Sequence, residues 1–336
     1  MTFHLSDLSA RVVQAPMAGG PSTPELVAAV SEAGGLGSLA AGYRTASAMA
    51  VEIAEVRGLT GRPFAVNVFV PEAHPSDPSA VEVYARALTP FAQDLGVPAP
   101  EPRPGGDDEY GEKIEVLTAD PVPVVSFTFG LPAADEVAAL QRAGSAVVLN
   151  ATTPAEAEQA LALDPDALVL QGPNAGGHRA QFDQRAQPSE VTLEELLAAV
   201  AQRTAVPLIA AGGIATGSEA ARVLEAGASA IQAGTAFLLA EEAGTKALHR
   251  QALTSAAARE TVVTRVFSGR PARGLRNAFI DRMSAHEIVG YPEVHHLTAP
   301  LRAAATDPDG INAWAGTGFA HCRRASAAEI LADLTP

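Results

Sequence analysis

The chain has 336 residues, 47% of them hydrophobic and 18% charged, which supplies a large buried core and excludes a disordered chain. Lys plus Arg number 23 against 38 Asp plus Glu, a formal charge of −15; a surface that acidic repels phosphate backbones and anionic lipid, so neither nucleic acid nor membrane is an expected partner. The single cysteine, Cys322, excludes a disulfide framework or a cysteine metal site within one chain. No apolar run reaches the ~20 residues of a membrane span, and residues 1–11 show no basic-then-apolar leader, so a cytoplasmic protein is expected.

In chain order, β-branched runs predict strands at 12–17, 37–41, 64–70, 122–129, 146–150, 167–171, 208–211 and 230–233. Ala/Leu/Glu-rich stretches between them predict helices at 23–33, 46–56, 78–95, 133–143, 154–162, 193–203 and 218–226. Eight strands alternating with helices suit an α/β protein closed as a (β/α)8 TIM barrel, with a doubly wound open sheet as the competing arrangement. Glycine-rich ends on strands one, six, seven and eight gather at one mouth in a barrel. The Pro-, Gly- and acid-rich segment 97–111 predicts an exposed excursion. Beyond residue 241 the rhythm stops. The expected division is therefore a barrel over 1–240, with an excursion near 97–120, and a smaller, mostly helical C-terminal domain over 241–336 across the mouth.

Five stretches carry candidate chemistry. QGPNAGGHR (171–179) follows a hydrophobic strand; Gly176 and Gly177 let the backbone approach a ligand, Gln171 points an amide to the mouth, and His178 is a titratable group at a strand's carboxyl end. VPLIAAGGI (206–214) and QAGT (232–235) place Gly212, Gly213, Gln232, Ala233, Gly234 and Thr235 after the last two strands. With a helix opening at 216–218, their N–H groups form a phosphate cradle that needs no help from the overall charge. QAPMAGG (14–20) puts the thioether of Met17 at the mouth, where core packing and contact with a flat ring are equally open readings. Asn67, polar inside FAVNVF (64–69), needs a partner for its amide.

In this order QAPMAGG, FAVNVF, QGPNAGGHR, VPLIAAGGI, QAGT and FSGRPARG (267–274) resemble the nitronate monooxygenases, also called 2-nitropropane dioxygenases, and most of all their class I group. The resemblance spans about residues 12–280, with a weaker echo at 314–316. It implies a TIM barrel holding FMN at its mouth. Met17, Asn67 and Gln171 then lie near the ring, Gly176, Gly177, Gly212 and Gln232–Thr235 line the cofactor, and Gly213, Gly234 and Thr235 hold its phosphate. His178 matches the active-site histidine. The implied reaction is oxidation of an alkyl nitronate by O2 to a carbonyl compound and nitrite, with His178 hydrogen-bonding the nitro group or acting as base toward a neutral nitroalkane. Asn174 stands where the family commonly has Glu, Ala180 where it has Gly, and WAGTGFAHC (314–322) lacks a familiar glutamine.

Two other readings stay open on sequence. One is an FMN-dependent NAD(P)H oxidoreductase such as an enoyl-acyl-carrier-protein reductase; the other is a non-catalytic flavin-binding barrel. A metal-dependent hydrolase is set aside: the adjacent His295–His296 in YPEVHHL predicts a solvated loop. The oligomeric state is left unassigned.

Overall fold

The computed structural model describes residues 3–255 and 260–336. In chain order its strands are β1 (Val12–Gln14), β2 (Gly37–Ala40), β3 (Phe64–Phe69), β4 (Val124–Thr128), β5 (Ala146–Ala151), β6 (Ala167–Gln171), β7 (Gly177–His178), β8 (Leu208–Ala211), β9 (Ala230–Ala233), β10 (Thr261–Thr264) and β11 (Ala272–Leu275). The helices are α1 (Pro24–Glu32), α2 (Ala46–Leu59), α3 (Pro78–Leu95), α4 (Tyr110–Ala119), α5 (Ala134–Ala143), α6 (Pro154–Leu161), α7 (Leu193–Ala201), α8 (Gly217–Glu225), α9 (Ala247–Thr254), α10 (Ala278–Met283), α11 (Glu293–Ala304) and α12 (Ala327–Leu334).

Eight of the strands form one parallel sheet in the order β1-β9-β8-β6-β5-β4-β3-β2. A bridge from Val13 to Leu36 brings its two edges together, so the sheet is a nearly closed barrel and not an open one. Strands buried along their whole length, such as the FAVNVF of β3, fit a sheet covered on both faces. Inside it Val13, Val124, Val148, Val169 and Ile209 pack together, with Phe3 among them. Outside, the helices start on side-chain caps (Thr23, Thr45, Thr153, Thr192, Thr216 and Ser326), each accepting a backbone N–H of the first turn.

Two elements cross the expected division at residue 240. Between β3 and β4 the barrel position is taken by α4, which packs on α2 and α5. The longer α3 instead buries Val81, Tyr84 and Leu88 against Val294, Leu297 and Leu301 of α11 and against Phe267. Conversely, α12 packs between α1 and α8, with Ile330, Leu331 and Leu334 in the barrel's outer core. The C-terminal segment also holds a hairpin absent from the sequence reading: β10 pairs with β11, and β11 with β7. The loop after β6 is thereby stitched into a second sheet over the mouth.

One expectation is overturned outright. YPEVHHL is not a solvated loop: Glu293–Ala304 is helical, and its buried Val294, Leu297, Thr298 and Leu301 fall at the i, i+3, i+4, i+7 spacing of one helix face.

Candidate active site

At the carboxyl ends of the barrel strands lies a cavity of about 600 Å³, within the range of a small-molecule or cofactor site. Every residue expected from the sequence to hold the cofactor or take part in the reaction lines it: Met17, Asn67, Gln171, Gly176, Gly177, His178, Gly212, Gly213, Gln232, Ala233, Gly234 and Thr235. Among the described residues no Asp or Glu lines this cavity, whereas Lys246, Arg302 and three histidines do. In a chain of charge −15 that segregation makes the site locally favourable to anions.

The glycine turns are built for close approach. Gly213 has φ +79°, and a Cβ on Gly176 would come within 2.3 Å of the Gly316 nitrogen, so no side chain fits there. The N–H groups of Gly213, Gly234 and Thr235 meet no protein acceptor among the described residues. The start of α8 is different: Glu219 takes the N–H groups of Ala215 (2.8 Å) and Thr216 (3.1 Å). Thr216, Gly217 and Ser218 at that helix start do not line the cavity, and the cradle consists of the N–H groups of Gly213, Gly234 and Thr235.

Two amides turn out to have protein partners. Asn67 is buried in β3 and donates to Ser126 (2.9 Å) and Thr128 (3.0 Å) on β4. Gln171 donates to the carbonyl of His178 (3.2 Å) and accepts from the N–H of Ala180 (2.9 Å). Gln171 therefore shapes the loop that presents His178. Asn174 lies beside Gly213 and has an exposed side chain, away from the contacts of His178.

His178 sits in a cage of rings: Phe129 at 5.5 Å, Trp314 at 5.6 Å and Tyr291 at 5.9 Å between centroids, all edge-on. Its Nε2 lies 2.9 Å from Ser268 Oγ, and Ser268 accepts from the Arg270 N–H (3.3 Å). Burial, then the charge of Arg302, pushes the imidazole down to about 4. It is neutral at physiological pH, with Nδ1 left for a ligand.

The sequence reading missed several cavity residues. Tyr43, with its ring stacked on His295 at 4.1 Å, and Phe129 both hold left-handed backbone, φ 65° and 79°, a conformation that bulky residues avoid and that concentrates at functional sites. Tyr43 is fixed by its N–H donating to Asp108 (3.0 Å), which in turn pairs with the fully buried Lys113 (2.7 Å). His249 Nε2 donates to the carbonyl of Trp314 at 3.0 Å, and burial pushes the ring down to about 4. The signal for His295 was present in the apolar spacing of its helix. Ser268 lies in FSGRPARG (267–274), a stretch with no chemistry of its own in sequence, and no local pattern pointed to Tyr43.

The nitronate monooxygenase family profile matches residues 4–336. The chain belongs to the nitronate monooxygenase family. A nitronate monooxygenase of Pseudomonas aeruginosa is 40% identical over 335 residues, 96% of this chain and 94% of the relative. A probable nitronate monooxygenase of Staphylococcus aureus is 36% identical over 311 residues, covering 91% and 87%. Among solved structures, a nitroalkane oxidase from Streptomyces ansochromogenes aligns with TM-score 0.93 at 46% identity, over 98% of this chain and 96% of that one. FabK from Thermotoga maritima aligns at 0.77 and 26%, over 98% and 93%. These chains share the α/β barrel, and family membership makes this one an oxidoreductase that acts on a small molecule with O2.

Proposed function

We propose that this nitronate monooxygenase family member oxidises alkyl nitronates with O2 to a carbonyl compound and nitrite, using FMN held at the barrel mouth. The observation that carries this reading is the acid-free lining of a cavity in a strongly acidic protein. Both the phosphate of the cofactor and the substrate are anions, and both fit a site lined by cations and free N–H groups.

The residues present fit the cofactor. The free N–H groups of Gly213, Gly234 and Thr235, beside Gly212, supply donors for the phosphate. Gly176 and Gly177 give a surface without side chains, and Met17, Asn67, Gln171, Gln232 and Ala233 bound the space left for the ring. Bound there, FMN supplies the electron-accepting ring that a protein side chain lacks. The chain's own task is binding, orientation and exclusion of water. Neutral His178 offers its Nδ1 side as a hydrogen-bond partner to the nitro group, while Phe129, Tyr291 and Trp314 keep it dry. An imidazole pushed down to about 4 is a weak base; a nitronate has already lost its proton and asks for none.

The layer formed by α3, α9, α10 and α11 is read as the substrate side, because His249, His295 and Arg302 enter the cavity from it. Small molecules are the partners this surface charge supports, and nucleic acid is not. Among the described residues no helix is long and apolar enough to cross a membrane.

The test is direct. The purified protein should carry a flavin spectrum, consume oxygen and release nitrite with propionate 3-nitronate or propyl-2-nitronate. Its flavin should not bleach rapidly with NADPH under anaerobic conditions. Rapid bleaching with no reaction on nitronates would move the chain to the reductases.

A further inference from the structure

Arg302 is a cavity residue to which the scheme above gives no individual role. It projects from α11, enclosed by protein, and its partners are all neutral. Nε donates to Thr298 Oγ1 (3.2 Å) and one terminal nitrogen to Asn312 Oδ1 (3.2 Å). The other donates to the His295 carbonyl (3.1 Å) and approaches His295 Nδ1 (3.4 Å). Two buried cations elsewhere sit on carboxylates, Lys113 on Asp108 and Arg270 on Glu72, and a third, Arg179, is held by the carbonyls of Gly172 and Ser189 and does not line the cavity. Arg302 lines the cavity with no carboxylate partner among the described residues, and an enclosed charge left uncompensated is costly unless a ligand completes it.

We propose that Arg302 is the specificity-determining residue that makes this site take a substrate already ionised in preference to its neutral carbon acid. The proposal rests on the nitronate reading above. A nitronate carries its negative charge on two oxygens in one plane, the geometry a guanidinium fork recognises; a neutral nitroalkane offers no such charge. The same cation acts on His178 and on His295, disfavouring their protonated forms. It thereby weakens the base that a neutral nitroalkane requires while attracting the anion that requires none. The names of the relatives, nitronate monooxygenase and nitroalkane oxidase, differ on this very choice.

The experiment compares wild type, Arg302→Lys, Arg302→Gln and Asn312→Asp, all flavin-loaded. Oxygen uptake is measured with preformed propyl-2-nitronate and with neutral 2-nitropropane, and propionate, an unreactive anion, is titrated calorimetrically. Losing one charge-assisted contact is expected to lower the nitronate-to-nitroalkane ratio of kcat/KM by about tenfold or more in Arg302→Gln, and to weaken propionate similarly. Arg302→Lys restores most of both. Asn312→Asp, which sets a carboxylate on the guanidinium without removing it, is expected to act like Arg302→Gln and decides the matter if that variant fails to fold. A folded, flavin-loaded Arg302→Gln or Asn312→Asp that keeps either the ratio or the propionate affinity overturns the proposal. Should wild type oxidise neither substrate, the reaction assignment fails, and the propionate arm still decides whether Arg302 is an anion site.

Discussion

His178 and Ser268 form the smallest unit of the site whose behaviour can be forecast. The hydroxyl of Ser268 lies 3.1 Å from the Arg270 carbonyl and 2.9 Å from His178 Nε2, so its one proton serves one or the other. An anionic ligand at Nδ1 selects the tautomer with the proton on Nδ1, and Ser268 then donates to Nε2. Ser268→Ala removes that choice. Its expected cost is about tenfold in kcat/KM for nitronates, the scale of one hydrogen bond, with flavin content unchanged. His178→Asn should cost more, and full turnover in that variant would remove the histidine from the reaction. Because burial holds His178 down at about 4, the imidazole stays neutral from there upward. The pH profile of kcat/KM for nitronates should therefore show no inflection near the usual histidine value of about 6.5. An inflection there would mean that the ring titrates as an exposed one does.

Between residues and the whole molecule stands the joint that fixes this pair. Glu72, in the connection after β3, pairs with the fully buried Arg270 between β10 and β11. The Arg270 guanidinium lies 4.1 Å over the ring of Phe129, just past β4, and donates to the Gln181 carbonyl. One side chain thus ties two barrel strands, the His178 loop and the hairpin. Glu72→Ala leaves a buried cation unpaired and is expected to cost about 3–5 kcal/mol in urea unfolding, with activity falling as Ser268 shifts. Glu72→Ala with Arg270→Met should regain most of the stability but not the activity. If the double variant is as unstable as the single one, the pair is not the joint. At this scale the sequence was readable in part. The barrel strands announced themselves because burial on both faces selects unbroken runs such as VVSFT and ALVLQ. The partner of α3 did not. Val81, Tyr84, Ala85 and Leu88 mark a helix with a buried face, but periodicity does not say which surface covers it. The helix that does flank the barrel, α4, carries Glu112, Lys113 and Glu115 and buries the lysine through a contact with Asp108 that no local pattern shows. The hairpin was hidden likewise, since ARGL and the two-residue Gly177–His178 have no alternation to read.

Taken as one body, the protein keeps its acids out of the cavity and sets three of its eight histidines, His178, His249 and His295, around it, and that distribution bears on how it responds to acid. His178 and His249 are pushed down to about 4 and His295 to about 2, in each case first by burial. In the unfolded chain the same rings titrate near 6.5. Between those limits the unfolded state binds more protons than the folded one, so stability falls as pH falls. The contribution is fully present above about 6.5 and is lost progressively toward about 4, a window ordinarily attributed to carboxylates only at its lower end. Protonation would also place two or three new cations around Arg302 in a cavity without a carboxylate to receive them. Urea midpoints measured from about pH 7.5 to 5 should decline with a slope above that of a variant carrying His249→Gln and His295→Gln. These two side chains are chosen because neither holds the cofactor in the scheme above, which separates proton linkage from loss of flavin. Equal slopes would show that the buried histidines are not what links this fold to pH, and that the acid-free cavity takes up protons without cost.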